Sequence, residues 1–142
     1  MIDVKEKINS VYTAHSKHSF YATKMISAYV FNNNKVPLNP FTNFGYFMDD
    51  MVDRKLNIRG KNNLIYLSDE LWQFGIISNG CYDEIKLAMS LNKKIKFFKI
   101  GKMIQDISEI DIDQLEFEKE LVQKNDINQF KLELNLYLKN KF

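Results

Sequence analysis

Apolar positions along this chain follow two periods, and polar turns separate them. Residues 11–14 are a short β-prone run that empties into His15-Ser16-Lys17-His18-Ser19. Ala22, Met25, Ile26, Tyr29 and Val30 then recur at spacings of three and four, which predicts a helix with one buried face. Asn32-Asn33-Asn34 stops it, because Asn tolerates left-handed turns. Val36-Pro37-Leu38 predicts a strand whose proline sits near its start or on an edge. Asn39-Pro40-Phe41 turns out of it. Residues 44–52, aromatic and Met-rich, predict a short helix packed on the sheet. Residues 53–63 are polar and hold Gly60, so they predict a loop or a broken helix before the brief apolar stretch 64–67.

The stretch from 68 to 98 is the most informative. An apolar strand at 71–74 runs into a loop ending Ser78-Asn79-Gly80. A helix follows with Glu84 in an early turn, and then a strand at 95–98. In open α/β sheets, ligands bind beyond the carboxyl ends of the strands, which is where this loop and Glu84 fall. Residues 100–110 fit neither period clearly. From Asp111 the pattern is helical, with Leu115, Leu121 and Val122 inward in one helix and Phe130, Leu134 and Leu138 in another. Asn125-Asp126 separates the two.

The order β-α-β-α-β-α-β implies a mostly parallel sheet with helices on both faces. The expected fold is a three-layer α/β domain of flavodoxin or Rossmann-like type, with four to five strands. Residues 1–142 form one domain, with 101–142 as a helical carboxyl-terminal extension. The Gly-rich dinucleotide fingerprint is missing, since Gly75 and Gly80 are too far apart, and no Walker sequence occurs.

Composition narrows the function classes. Twenty basic residues stand against 18 acidic ones, and no basic tract with interleaved aromatics appears, so no nucleic-acid partner is expected. No apolar run approaches the roughly 18 residues of a membrane span. Cys81 is the only cysteine, so no intrachain disulfide and no thiol zinc site can form. No secretory pattern opens the sequence, and the expected location is cytoplasmic.

Glu84 is the first chemical candidate. A carboxylate near a helix start feels the positive end of the dipole, which favours ionisation, and an ionised carboxylate can attack a glycosidic carbon. Glutamate in a first turn also serves stability alone. Ser78, Asn79 and Gly80 can present N–H groups and a hydroxyl to a phosphate, or simply cap the helix. Tyr12, Ser16 and His18 flank the first strand's end; a tyrosine can close over a ring, or pack in the core. Asp69 fits a strand-start cap or a polar floor, and Asp53 with Arg54 a local pair. His15 and His18 lack the carboxylate partners of a metal site. Trp72, Cys81, Met48 and Met51 read as packing residues.

Together these pieces resemble the nucleoside 2-deoxyribosyltransferase-like family, which includes 2′-deoxynucleoside 5′-phosphate N-hydrolases. The resemblance rests on Ser78-x-Gly80-x-x-x-Glu84 followed by Ala88, and on Tyr12, Ser16 and His18 at the hydrolase spacing. Residues 69–75 resemble the family's central strand, and Asn39-Pro40-Phe41 its turn after the second strand. The first turn lacks the hydrolases' glycines, and His18 stands in place of arginine. The resemblance implies that Glu84 attacks C1′ of a nucleoside or nucleotide, with Tyr12 beside it. It implies a 5′-phosphate at Ser16, His18, Ser78, Asn79 and Gly80, with Asn39 and Asp69 as further substrate contacts. It implies no metal or cofactor, and a homodimer or higher homo-oligomer, since the family often completes its site with a neighbouring subunit. The alternative is a protein that binds a nucleotide or ADP-ribose-like signal without turnover, or a mainly structural role with the helical tail as a contact surface.

Overall fold

The computed structural model describes residues 5–141. Strand β1 (Ser10–Ala14) leads through a 3₁₀ turn (Lys17–Ala22) into helix α1 (Thr23–Asn32). Then come β2 (Val36–Leu38), α2 (Pro40–Phe44), a second 3₁₀ turn (Met48–Asp50) and α3 (Arg54–Leu67). The central unit is β3 (Glu70–Phe74), α4 (Asn79–Ser90) and β4 (Lys94–Lys99). After it lie β5 (Ser108–Glu109), α5 (Lys119–Lys124) and α6 (Ile127–Lys141).

The sheet has five strands in the order β2-β1-β3-β4-β5. The first four are parallel and β5 is antiparallel. The chain steps from β1 to β2 on one side, then crosses back to place β3 on the other. That reversal is a topological switch point, and it opens at the carboxyl ends of β1 and β3. This is the expected Rossmann-like α/β architecture.

Alternation along the strands divides the core in two. Tyr12, Ala14, Leu71, Ile95 and Phe97 face α3, α4 and α6, where they meet Ile65, Ile85, Phe130 and Leu134. Val11, Trp72, Phe74 and Phe98 face α1, where they meet Ile26 and Val30. Trp72 therefore packs as its strand position predicts, with the Phe98 ring 4.9 Å away. Among the described residues no helix is long and apolar enough to cross a membrane.

Three segments differ from expectation. Residues 53–63 are neither loop nor broken helix. Asp53 accepts from the Lys55 N–H at 2.8 Å and starts α3, which runs unbroken to Leu67. Gly60 sits inside it, with the Phe44 ring 3.4 Å from where a Cβ would be. Residues 44–52 are not a helix on the sheet. Gly45 ends α2 at a φ of 88°, and Phe47 and Met51 beyond it are 69 % and 77 % exposed. Residues 111–118 are not α-helical: one 3₁₀ turn buries Ile112 and Leu115, and the chain then runs extended. There Ile77 donates to the Glu116 carbonyl and accepts from the Glu118 N–H, a strap beside the β3–α4 loop. Val122 is exposed, whereas Leu121 is buried.

The tail shares the main core through Phe130 and Leu134. Phe130→Ala should cost about 3–5 kcal/mol of unfolding free energy by denaturant titration. Leu136→Ala, on the exposed face of α6, should cost less than about 0.5 kcal/mol.

Candidate functional site

Two strands deliver the site. β3 leaves the sheet through Gly75, which has a φ of 75° and carries no Cβ to strike Ile100 at 3.1 Å. Any other residue would be strained there. The chain then reaches Ser78, whose Oγ accepts from the Cys81 N–H at 3.3 Å and caps α4. Asn79 and Gly80 open the helix. Glu84 follows in the second turn, on the side facing the sheet.

There it meets Tyr12, buried in the middle of β1, whose hydroxyl donates to a Glu84 carboxylate oxygen. Burial pushes the Glu84 pKa up to about 7. The Tyr12 hydrogen bond and the charge of Lys61 offset part of that rise, while Asp83 adds to it. Burial, and then the neighbouring carboxylate, push the Tyr12 hydroxyl well above its ordinary value. The proton therefore stays on Tyr12, which acts as donor. Cys81 is buried beside them and its thiol is pushed up to about 11, so it packs and does not attack.

At the end of β1, His15 is buried against the Phe41 ring, 4.9 Å between centroids. Asn39 Oδ1 accepts from the N–H groups of Phe41 and Thr42, at 2.9 and 3.2 Å, so its Nδ2 must donate. Nδ2 gives to Thr13 Oγ1 at 2.9 Å and to His15 Nε2 at 3.1 Å. His15 Nδ1–H then donates to the Ser16 carbonyl at 3.0 Å. Burial lowers the His15 pKa, in keeping with this neutral tautomer.

The structure thus unites Tyr12 with Glu84 and places Ser78, Asn79 and Gly80 at the head of the same helix. Ser16 lies at the mouth of β1, 3 % exposed, with no partner for its Oγ. His18 is exposed on the 3₁₀ turn. Two expected contacts fail. Asn39 is no free substrate ligand, because α2, Thr13 and His15 use both ends of its amide. Asp69 lies at the opposite end of the sheet from Ser78, where it accepts from the Ser10 N–H at 2.8 Å and pairs with Lys7 at 3.7 Å. That backbone donor, ahead of Lys7, holds its carboxyl below the usual range.

Sequence reasoning missed Gln73 and Lys61. Gln73 is buried in β3 on the Tyr12 face and its Oε1 has no partner. An amide inside the apolar run 70–74 was the available signal. Lys61 lies in the segment expected as a loop or a broken helix. It lines a narrow crevice of 10 Å³ with Lys17, Phe41 and Tyr46. The larger cleft, 370 Å³, lies elsewhere, between β4, the loop after β5 and α6. Its walls include Lys96, Asp111 and Asn135, and Glu84 is not among them.

A family model described as "Domain of unknown function (DUF7768)" matches residues 7–98, which hold β1 through most of β4. The chain belongs to the DUF7768 family. Tyr12, Ser16, Ser78 and Glu84 all fall inside the matched region. No curated protein matches the chain. Among solved structures it is similar to a 2-deoxyribosyltransferase from the psychrotolerant bacterium Bacillus psychrosaccharolyticus, described as a biocatalyst for synthesis of nucleosides. The TM-score is 0.53 at 15 % identity, over 86 % of this chain and 90 % of that one. A likeness at that identity establishes a shared fold between this DUF7768 domain and that enzyme.

Two pH effects follow from the site. A carboxylate whose folded pKa is near 7, against about 4.3 unfolded, destabilises the fold once it ionises. Glu84→Gln should therefore be the more stable protein at pH 8, by about 1–3 kcal/mol. The gap should close as pH falls from 7 towards 4.5, followed by denaturant titration. His15 has the opposite sign. Its folded pKa is depressed, so its contribution is whole above about pH 6.5 and is lost as pH falls through the folded value. The difference in Tm between wild type and His15→Gln should shrink between pH 7.5 and pH 5.

Proposed function

We propose that this protein cleaves or transfers at the N-glycosidic bond of a (deoxy)nucleoside or nucleoside 5′-phosphate, with Glu84 as the nucleophile. The observation that carries this reading is the Tyr12–Glu84 hydrogen bond at the switch point of the sheet. Tyr12 occupies one carboxylate oxygen and fixes the group's orientation. In this reading the other oxygen attacks C1′.

In the first step a Glu84 oxygen bonds to C1′ and the C1′–N bond breaks. The base departs with the bonding electrons and takes up a proton. Water next attacks C1′, the sugar–Glu84 ester opens, and the second proton of that water goes to solvent as Glu84 returns to carboxylate. In a transferase, the nitrogen of a second base replaces the water. A 2′-deoxy sugar helps, because it lacks the electron-withdrawing hydroxyl that opposes positive charge at C1′. Ser78, the first N–H groups of α4 and the unpartnered Ser16 Oγ suit a 5′-phosphate. His18 stands at the rim. The fold shared with a deoxyribosyltransferase supports the substrate class. The exposed Phe47 and Met51, next to Tyr46, suit coverage by a second copy of the chain that would exclude water.

The test is chromatography for free base after incubation with deoxynucleosides and their 5′-monophosphates. Glu84→Gln should lower base release by at least about 10³-fold. The wild-type rate should climb through pH 7 as Glu84 ionises. Base release that persists in Glu84→Gln sinks this mechanism. Tight nucleotide binding in calorimetry with no product would favour the signal-binding alternative.

A further inference from the structure

Strand β5 covers only part of its neighbour. It pairs with β4 at Phe98 and Lys99, and the last bond between the two chains runs from the Ile110 N–H to the Phe97 carbonyl at 2.9 Å. The chain then leaves the sheet for the 3₁₀ turn Ile112–Gln114. Backbone groups alternate sides along a strand. The Phe98 carbonyl accepts from the Gly75 N–H at 2.9 Å, so Phe98 bonds towards β3, while Phe97 bonds towards β5. Ile95, two residues earlier, points the same way as Phe97. Among the described residues the Ile95 N–H, the Ile95 carbonyl and the Phe97 N–H have no hydrogen-bond partner. Further back, the Lys93 carbonyl accepts from the Tyr137 hydroxyl of α6. The open row is therefore bounded by β5 at one end and by Tyr137 at the other.

That row borders the 370 Å³ cleft, whose lining includes Ile95 and Phe97. Asn135 and Leu138 of α6 form one wall, and the turn after β5 forms the other with Asp111 and Asp113. From Lys94 to Phe97 the row is about 13 Å long, enough for three or four extended residues. An uncovered strand edge is a template for an added strand. Charge narrows what can enter. Glu109, Asp111 and Asp113 line the cleft, all exposed and, among the described residues, without an ion pair. Lys96 is the cation of the lining, and its ammonium lies over the Trp72 ring, 5.4 Å from the centroid, on the α1 face of the sheet.

We propose that this edge of β4 is a docking site for an extended segment of a partner protein bearing lysine or arginine, which adds as a strand beside Ile95 and Phe97 and sets its cations against Asp111 and Asp113. The free groups of Ile95 and Phe97 supply the main-chain bonds. Ile112 and Leu138 in the lining offer apolar contact to alternate side chains of the segment. The acids favour a basic segment and repel an acidic one. The cleft shares no residue with the Tyr12–Glu84 site, so the proposal is independent of the glycosidic reading.

The probe is a fluorescein-labelled peptide of three Lys-Val repeats, compared with its Glu-Val counterpart and with two forms N-methylated at the lysine or at the valine nitrogens. Fluorescence anisotropy should show binding of the Lys-Val peptide and at least about tenfold weaker binding of the Glu-Val one. One N-methylated form should bind and the other should not, because alternate N–H groups face β4. In ¹⁵N-labelled protein the Ile95 and Phe97 amides should exchange at least about tenfold more slowly with the peptide bound. Asp111→Lys with Asp113→Lys, both at exposed positions, should weaken Lys-Val binding by at least about tenfold, and Glu109→Lys is the second variant should that pair fail to fold. No binding of the Lys-Val peptide overturns the proposal. So does equal binding of the Glu-Val peptide or of both N-methylated forms, or unchanged exchange at Ile95 in the complex. Protection of Ile95 that grows with protein concentration and without peptide would make a second copy of the chain the occupant, and overturns the assignment to a partner.

Discussion

A carboxylate on the inward side of a helix needs a donor, and in this fold the donor is Tyr12. The pairing depends on three independent placements. β1 must lie inside the sheet, in register with β3, so that Tyr12 sits opposite Leu71. α4 must start at Ser78, so that Glu84 falls one turn in and faces the strand. The proton must stay on tyrosine, which burial ensures. A slip of one residue in β1 would send Tyr12 to the α1 face and leave Glu84 buried without a partner.

The two ends of the sheet treat their polar groups differently, and the contrast separates structure from function. At the amino end the accounts are complete. Burial pushes the Glu70 carboxyl up, but Lys35 at 2.8 Å, Trp72 Nε1 at 3.1 Å and Asn9 Nδ2 at 3.3 Å outweigh it. Asp69 and Ser10 likewise satisfy each other. At the carboxyl end, among the described residues, three buried atoms lack a protein partner: Ser16 Oγ, Gln73 Oε1 and Asn57 Oδ1. Native interiors leave few such atoms, and those that exist ask for water or a ligand.

Most of the fold was legible because each element carried its own punctuation. The Asn run ended α1, Ser78 opened α4, and the apolar runs of β1, β3 and β4 had no competing period. Tyr12 and Glu84 were legible as candidates, although their contact needs the register of the sheet. Asn39 and Asp69 were misread for one reason. Both are polar residues flanking strands, and sequence does not show whether such a residue spends its hydrogen bonds on the backbone. Asn39 spends them on α2 and His15, and Asp69 on Ser10. The extended strap at 115–118 was hidden because its spacing of buried residues also suits a helix.

The misreading of α3 has a different cause. The helix contains a glycine, and most of its apolar side chains, Leu56, Ile58, Tyr66 and Leu67, are exposed, so neither periodicity nor propensity announces it. It forms because Asp53 starts it and because Ile65 and the Phe44 ring against Gly60 anchor it to neighbours far apart in sequence. Such a helix keeps polar side chains even on its packed face, and here those side chains are Asn57 and Lys61. An apolar helix at this place would have been easier to predict. The weak sequence signal therefore has a local origin: Asn57 and Lys61 interrupt the inward stripe that Ile65 continues.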